Sequence, residues 1–480
     1  MRDSGVECLG KVPNHWEVWR LGRLGSLLKG NGGSKDDEVE YGIPCIRYGD
    51  LYTTHQHFIE ESRSFISEES ACRYTSVQFG DVLFAVSGET IPEIGKSAVN
   101  LISSNARCGG DIILFRPLRE FDARFLGYLL DCRPISDQKA VMGRGITVMH
   151  IYGTQLKYLL IPLPPPSEQT AIVRFLDHVD RRIQRYIRAK EKLIVLLEEQ
   201  KQAIVYQAVT GRIDVRAGRP YPAYKPSGVE WLGDVPAHWE EISLGATSLS
   251  IQTGPFGSQL HASDYMDDGI PVINPSNIHD GLIHANSQIS VTEGMAIKLS
   301  RYALLTDDIV VARRGEVGRC ALVSDAESGW ICGTGSLRIR LNPDTLLPSY
   351  LVHILNFQGV RDALHLSSIG STMQNLNAGI VSRLRIILPS LAEQENIVDC
   401  INETTTKISD GIVGAQRQIG LVREYRTRLV ADVVTGKVDV RSAAVELLEL
   451  EPITDGGRLD AIQDEADFPI AEGSIAQEAS

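Results

Sequence analysis

The feature that most constrains this chain is an internal repeat. Residues Ser4–Glu17 (SGVECLGKVPNHWE) return as Ser227–Glu240 (SGVEWLGDVPAHWE), and Val209–Arg216 (VTGRIDVR) returns as Val434–Arg441 (VTGKVDVR). Shorter matches lie between them in the same order, all at an offset of about 225 residues. Ordered matches at one offset do not arise by chance, so the sequence predicts one structural unit built twice in tandem.

Each unit ends in a predicted long helix. The pattern begins after Pro164-Pro165-Pro166, with Ser167 in the position expected for an N-cap. Apolar residues then recur in alternating steps of four and three, which is heptad spacing. In the first copy they are Ile172, Leu176, Val179, Ile183, Tyr186, Leu193, Leu197 and Ile204; in the second they are Ile397, Ile401, Ile408, Ile412, Ile419, Val422, Leu429 and Val433.

Gly211 and Gly436 follow these patterns, where a C-terminal glycine is common. A helix of about 40 residues is roughly 60 Å long and needs a partner for its apolar stripe. We therefore expect the two helices to pack as an antiparallel pair that spaces two globular domains. A hairpin that only stabilises those domains remains the alternative.

The first part of each unit is rich in short apolar runs broken by Gly, Pro, Asp and Asn, which is typical of strands and turns. The predicted strands of copy one are Ile43–Tyr48, Val82–Val86, Ile112–Phe115 and Leu159–Leu163, with a short helix around Phe121–Cys132. The predicted fold class is α+β, with two pseudo-repeated mixed α/β domains separated by two long helices. The boundaries are 1–166 and 227–391 for the domains, 167–211 and 392–436 for the helical spacers, 212–226 for a linker, and 437–480 for an acidic tail expected to be disordered.

The net charge of −13 bears on the kind of partner. Roughly ten acidic residues and one basic residue fall after Ser442, so the rest of the chain carries only about −4. A near-neutral body argues weakly against strong DNA binding by this chain alone, but it does not exclude a subunit that shares DNA with a more basic partner. No run of 18 apolar residues occurs, and the eight cysteines form no C-x-x-C pair. These features predict a cytoplasmic protein without a metal site or membrane association.

No catalytic constellation is present in the sequence, whereas features suited to DNA contact follow several strands. Gly95-Lys96 aligns with Gly318-Arg319, a glycine turn whose backbone amides and basic side chain could meet a phosphate. Arginine pairs with guanine, and Asn and Gln pair with adenine. The candidate DNA-binding residues are Arg47, Tyr48, Asp50, Lys96, Arg144 and Thr147 in copy one, and Asn274, Ser276, Asn277, Arg313, Arg314, Arg319, Thr372, Gln374 and Asn375 in copy two. A purely structural role is the alternative for each of them.

The order of these motifs, twice over residues 4–441, resembles the specificity subunits of type I restriction-modification systems. The matching motifs are Val-Pro-x-His-Trp at 12–16 and 235–239, Gly-Ile-Pro at 42–44 and 269–271, Pro-x-x-x-Glu-Gln at each helix start, and the repeated Val-Thr-Gly segment at each helix end. The stretch Thr253–Ser258 (TGPFGS) also matches, whereas copy one has Lys29–Ser34 (KGNGGS) in its place. The acidic tail lies outside the family pattern.

The resemblance implies two target recognition domains that each read half of a split double-stranded DNA target. Two methyltransferase subunits would supply S-adenosylmethionine binding and adenine methylation, and restriction subunits would supply ATP- and Mg-dependent translocation and cleavage. This chain would hold no cofactor and would not be an enzyme by itself. Spacer residues implicated in packing or partner docking are Glu168, Gln169, Ile172, Leu176, Ile183, Glu393, Gln394, Ile397, Ile401 and Ile408.

Two other functions remain open at this point. One is a similar recognition subunit of a methylation-only or other phage-defence complex, which changes the partners and keeps the DNA reading. The other is a coiled-coil scaffold that binds proteins and tolerates substitution of Arg313 or Arg314. A self-contained enzyme is disfavoured because no cofactor motif is found.

Overall fold

The computed structural model describes residues 1–88, 93–143, 149–229, 232–256, 259–279, 281–368 and 375–447. The chain forms two compact units. Unit 1 comprises Met1–Arg188 and the chain from Ile419 onward, and unit 2 comprises Ala189–Gln418. Each unit therefore contains one globular region and part of each long helix.

The globular region of unit 1 contains short strands and short helices. Its strands are β1 (Arg2–Asp3), β2 (Lys11–Val12), β3 (Glu17–Arg20), β4 (Gly25–Lys29), β5 (Glu38–Val39), β6 (Ile43–Ile46), β7 (His57–Ile59), β8 (Ser64–Ile66), β9 (Thr75–Val77), β10 (Val82–Ala85), β11 (Ser87–Gly88), β12 (Ser97–Asn100), β13 (Ala106–Cys108), β14 (Ile112–Pro117), β15 (Met149–His150) and β16 (Leu160–Leu163). Its helices are α1 (Tyr48–Thr53), α2 (Glu68–Ala71), α3 (Ala123–Asp131), α4 (Arg133–Met142) and α5 (Gly153–Leu156), after which the long helix α6 (Pro166–Val209) begins.

The globular region of unit 2 repeats this plan. Its strands are β17 (Tyr224–Pro226), β18 (Asp234–Pro236), β19 (Glu240–Ser243), β20 (Ser248–Thr253), β21 (Ile270–Ile273), β22 (Ile278–His279), β23 (Leu282–Ile283), β24 (Ser290–Val291), β25 (Ile309–Ala312), β26 (Cys320–Leu322), β27 (Ile331–Cys332), β28 (Ser336–Leu341) and β29 (Arg385–Leu388). Its helices are α7 (Leu244–Thr247), α8 (Glu293–Lys298), α9 (Pro348–Asn356), α10 (Gln358–Ser368) and α11 (Ala378–Arg383), followed by the long helix α12 (Leu391–Val434) and, back in unit 1, the short helix α13 (Arg441–Glu446).

Two sheets form the framework of each globular region, and their strand orders correspond. In unit 1 the orders are β4-β14-β10-β12-β7 and β5-β8-β6-β13-β9; in unit 2 they are β20-β28-β25-β26 and β24-β21-β27. In the second sheet of each unit one pair is parallel, β6 with β13 and β21 with β27. The predicted α+β class with two pseudo-repeated domains is therefore confirmed.

A buried ion pair is duplicated with the sheets. Asp81 is 1% exposed and accepts hydrogen bonds from Arg116 at 2.6–3.3 Å, and Asp308, also 1% exposed, accepts two from Arg340 at 2.7 Å. Each aspartate stands just before the strand that it ties to its neighbour. Bidentate hydrogen bonding of this kind compensates a carboxylate for lost hydration.

The long helices pack antiparallel in both units, which confirms the predicted antiparallel pair. In unit 1, Asp180 on α6 accepts two hydrogen bonds from Arg426 on α12, at 2.7 and 2.8 Å, while the start of α6 lies near Arg441, beyond the end of α12. In unit 2, Lys201 on α6 donates to Ser409 on α12 at 3.2 Å. The apolar stripe is buried where it meets a globular region, as at Ile172, Leu176 and Ile183.

Three sequence expectations about these elements are wrong in detail. α6 begins at Pro166, because proline fits the first turn of a helix, so Ser167 lies inside the helix and is not its N-cap. Ile187 is buried, whereas Leu193, placed on the seam by strict heptad counting, is 40% exposed. A straight helix turns every 3.6 residues and drifts from a 3.5-residue repeat over several turns. Strand β6 stops at Ile46, two residues before the predicted end.

Order continues past the second long helix. Gly436 has a φ of +74°, as Gly211 has at +67°, which matches the predicted helix ends. Beyond it, Val440 and Ala444 are buried in unit 1, and α13 extends to Glu446. The rest of the predicted tail, residues 448–480, lies outside the described residues. Within the described residues no helix is long and apolar enough to cross a membrane, and no group of three or more His, Cys, Asp or Glu side chains is placed to hold a metal ion.

Candidate nucleic-acid interface

In each globular region the ends of the two sheets meet at a contact between glycines. A Cβ atom on Gly30 would lie 2.0 Å from the carbonyl oxygen of Gly109, and one on Gly254 would lie 1.9 Å from that of Gly333. These distances are far below van der Waals contact, so only glycine fits at either place. The stretch Lys29–Ser34 therefore keeps, as Gly30, the glycine that this contact requires at Gly254 of the TGPFGS motif.

Hydrogen bonds fix these glycines to the neighbouring strands. The amide of Gly30 donates to Ile112 at 2.8 Å, and that of Gly254 donates to Ser336 at 3.0 Å. β6 and β21 each end at the glycine contact of their own globular region. The segments that follow these strands, which start at Arg47 and Asn274, therefore lie beside that contact. The two copies share this framework, but the candidate DNA-binding residues on these loops differ between them.

In copy two the structure brings several candidates together. Asn274 donates from its backbone amide to the Asn277 side chain at 2.9 Å, and buried Asn277 donates to the His284 carbonyl at 2.8 Å. Asn274 and Asn277 thus hold the shape of the loop, while Ser276 between them is exposed. The Arg319 guanidinium donates to the carbonyl of Pro275 at 2.8 Å, so the second glycine turn is tied to this same loop.

Neighbouring arginines in copy two have different surroundings. Arg313 is 3% exposed; it donates to the Leu376 carbonyl at 2.6 Å and stacks over the ring of Phe256 at 5.0 Å. Arg314, the next residue, is exposed on the turn. The backbone amide of Leu376 donates to Arg313, which places Asn375 near the same turn.

In copy one the candidates divide into two groups. Arg47 is held at the start of α1 by its backbone hydrogen bond to buried Asp50 (3.2 Å), and its guanidinium lies 3.4 Å from Glu38, whereas the Tyr48 ring is 46% exposed. Lys96 lies apart from them, because its ammonium donates at 2.8 Å to Asp131, whose side chain is only 4% exposed. Arg144, Thr147, Thr372 and Gln374 lie outside the described residues.

Two residues near the copy-two loop were missed from the sequence. His279 is exposed and hydrogen-bonds the carbonyl of Ser276 (2.7 Å), and Phe256 is 48% exposed while packing on Arg313. The signal for Phe256 was present, because an aromatic residue between two glycines in TGPFGS is not needed for a turn. The signal for His279 was absent, because a lone histidine after a short strand has no distinctive spacing.

The predicted spacer residues lie inside the units. Gln169 joins the Asp122 amide (3.1 Å) to the Pro164 carbonyl (3.1 Å), and Gln394 joins Leu347 (2.8 Å) to Thr345 and Pro389 (3.1 and 3.0 Å). The six seam isoleucines and leucines among them are also buried: Ile172, Leu176, Ile183, Ile397, Ile401 and Ile408. Their observed role is to seat the long helices, and partner docking by these residues stays a prediction.

The glutamate of each Pro-x-x-x-Glu-Gln motif contacts the histidine of the repeated His-Trp pair, and in copy one the tryptophan as well. Glu168 lies 2.7 Å from His15 Nε2 and accepts a hydrogen bond from Trp16 Nε1 at 2.8 Å. Glu393 lies 2.8 Å from His238 Nε2. Burial acts to raise the pKa of Glu393, but hydrogen bonds from His238 and Ser390 outweigh it and hold that pKa below its ordinary value. These two glutamates therefore hold the long-helix starts to the globular regions.

This junction differs between the copies in one hydrogen bond, and we expect a measurable difference in stability from it. Trp239 is fully buried, and its Nε1 has no hydrogen-bond partner among the described residues. Trp16→Phe removes a charged hydrogen bond as well as ring volume, whereas Trp239→Phe removes ring volume alone. Chemical denaturation should show Trp16→Phe losing about 1–2 kcal/mol more than Trp239→Phe. Equal losses would contradict this assignment of the two indoles.

Comparison with known proteins identifies the family. A profile described as the type I restriction modification DNA specificity domain matches residues 13–193 and 239–412, which together are well over half of the chain. The chain belongs to this family. Its two matches fall on the two repeats, each covering most of a globular region and the first part of the long helix that follows.

Two relatives match this chain along nearly the whole of their length. The putative type I restriction enzyme MjaX specificity subunit of Methanocaldococcus jannaschii is 22% identical over 90% of this chain and 96% of its own length. The type I restriction enzyme EcoKI specificity subunit of Escherichia coli K12 is 20% identical over 94% and 98%. A solved chain from a study of the assembly and conformational transition of the type I R-M system is 18% identical, with a TM-score of 0.66, over 89% of this chain and all of that one. This last likeness supports the fold.

Proposed function

We propose that this chain is the non-catalytic, sequence-specificity subunit of a type I restriction-modification complex and that each globular region reads one half of a split DNA target. The observation that carries this proposal is the duplicated glycine contact, which presents different side chains on the same framework: Arg47 and Tyr48 in copy one, Ser276 and Arg314 in copy two. Readers of two different half-sites need such a shared frame with divergent loops.

The long helices suit the remaining parts of this function. They would space the two readers along the duplex, and they would offer docking surfaces to two methyltransferase subunits and to restriction subunits. S-adenosylmethionine, ATP and Mg would then be bound by those partners. A near-neutral chain can serve such a complex because partner subunits can contribute phosphate contacts.

The test is selection of bound duplexes from a random pool by this chain assembled with its methyltransferase partner. We expect the pool to converge on two short conserved blocks separated by a fixed number of unconserved base pairs. Convergence on one continuous block would contradict two independent readers, and a stable complex that selects no sequence would favour a protein-binding scaffold.

One pair of adjacent arginines refines this test. Arg314→Gln should relax recognition at one position of one half-site, costing about 1–3 kcal/mol there, because its exposed guanidinium is available to a base. The fold should stay intact in this variant. Arg313→Gln should instead destabilise unit 2, since its buried guanidinium holds the Leu376 carbonyl. Parallel thermal unfolding and duplex selection on the two variants separate these outcomes, and an unchanged target with Arg314→Gln would remove this residue from the interface.

A further inference from the structure

One face of α6 in unit 1 carries a row of basic side chains. Arg174, His178, Arg181, Arg185 and Arg188 follow one another in steps of four and three. The row runs from Arg174 to Arg188, 14 residue steps or about 21 Å of helix. It lies opposite the buried stripe that contains Ile172, Leu176, Ile183 and Ile187, and the four arginines are exposed. We call these five residues the basic stripe.

Most of the basic stripe is not neutralised by neighbouring carboxylates; the exception is Arg181, whose charge acts on Asp177 beside it. Among the described residues Arg174, Arg185 and Arg188 form no ion pair or hydrogen bond, and Arg181 donates to the backbone carbonyl of Asp177 at 3.2 Å. Like charges three or four residues apart on a helix destabilise it by some tenths of a kcal/mol per pair. A polyanion along this face would turn that repulsion into attraction.

The repeat shows that the helix does not need these charges. The equivalent positions on α12, in unit 2, are Asp399, Glu403, Thr406, Asp410 and Val413, all exposed. Two matching copies of one framework thus present opposite charge on the same face. Whatever binds the basic stripe is therefore expected to act on unit 1 alone.

One strongly acidic segment of this chain also breaks the repeat, and it leaves from unit 1. Residues 448–480 hold nine acidic residues and one basic residue and follow α13 directly. The first residue of α13, Arg441, lies 3.5 Å from Glu168, and Glu168 precedes Arg174 by six residues, about 9 Å along the helix. A chain of 33 residues has a root-mean-square reach of about 30 Å, which covers the whole stripe.

We propose that the acidic segment 448–480 binds the basic stripe of α6 within the same chain. Attachment at α13 gives the segment an effective concentration in the millimolar range, so even weak ion pairs hold it there. The bound segment covers the stripe and competes with any other polyanion, including the phosphate backbone of DNA. The interaction weakens with salt, because exposed ion pairs are screened.

The test uses a fluorescent peptide with the sequence of residues 448–480 and a chain that ends at Leu447, which retains every described residue. Anisotropy at low salt should show the peptide binding the shortened chain about tenfold more tightly than the full chain, where the attached segment occupies the stripe. Replacing Arg174, Arg185 and Arg188 together with Gln in the shortened chain should weaken binding about tenfold, the sum of three exposed ion pairs.

The matched control removes the same charge elsewhere on unit 1. Arg63→Gln, Arg119→Gln and Arg133→Gln, all at exposed positions, should change peptide affinity less than twofold. A peptide with every Asp and Glu replaced by Asn and Gln tests the same contact without altering the protein, and it should not bind. The proposal is overturned if the two triple variants weaken peptide binding equally, or if the full and shortened chains bind the peptide with the same affinity. It is also overturned if substitution of the stripe weakens binding of duplex DNA but not of the peptide.

Discussion

Removing one heptad from each long helix, residues 190–196 of α6 and 412–418 of α12, is expected to shorten the gap in the recognised target while leaving both half-sites unchanged. Seven residues advance a helix by about 10.5 Å, close to three base-pair steps of B-DNA. A seven-residue deletion also leaves the apolar faces within about 20° of their original direction, so the two helices can pair again. Mapping of methylated sites, or duplex selection, measures the gap directly.

The control for this variant keeps the length and changes the surface. Replacing the exposed Val195, Leu196 and Val413 with polar residues alters the same helical segments without changing their rise, and the gap should stay the same. An unchanged gap in the doubly shortened variant would show that the helices do not set the distance between the half-sites.

The second large effect, on stability, is expected in the globular region of unit 1. A buried charged cluster there stands where unit 2 has neutral residues. Asp131 is held by Lys96 at 2.8 Å and by His57 at 2.9 Å, and fully buried Lys139 donates to the carbonyls of Gly95 and Leu130 at 2.7 and 2.9 Å. Burial raises the pKa of Asp131, but His57 and the two lysines outweigh it and bring that pKa to about 2. At the equivalent positions of copy two stand Asn356 and Leu364.

Asp131→Asn alone is expected to lower the free energy of unfolding by about 3–5 kcal/mol, because it leaves the buried Lys139 ammonium without a countercharge. Adding Lys139→Leu reproduces the neutral pair of copy two and should recover about 1–3 kcal/mol of that loss. Chemical denaturation of the two single variants and the double variant gives the coupling directly. If the losses in the free energy of unfolding from the two substitutions simply add, Asp131 is not the countercharge of Lys139.

The same cluster predicts a pH dependence of known sign. Burial lowers the pKa of Lys139 from 10.5 to about 8. Between these values the folded chain has released a proton that the unfolded chain still binds, so stability rises with pH. We therefore expect the wild-type chain to gain stability relative to the double variant from about pH 8 to pH 10. A constant difference across that range would show that Lys139 does not titrate there.

The sequence was most informative wherever a pattern is repeated. The tandem duplication, both long helices and the strands around Val82 and Ile112 follow from period and position, because an apolar stripe or run must be buried whatever its partner. The role of the His-Trp pair was not predictable, since Glu168 lies 152 residues beyond Trp16 and only the fold brings them together. Asp81 and Arg116 show the same limit, because 35 residues separate them in the sequence and only the fold brings them together.

The candidate interface was predicted less well than the fold. Residue type alone placed Arg313 and Arg314 together, yet burial separates them, since one holds a backbone carbonyl and the other faces outward. Lys96 was chosen for its glycine turn, but the position of Asp131 on α3 directs its ammonium to the interior side of that turn. Loop sequence identifies where reading residues lie, whereas side-chain direction depends on distant contacts.

The most direct measurement is a genome-wide map of methylated adenines after this chain is expressed with its neighbouring methyltransferase gene in a methylation-free bacterial host. Our account predicts one split motif with a fixed gap, in which Arg314→Gln alters a single half. A stable complex that adds no methylation, or a motif that is continuous, would contradict it.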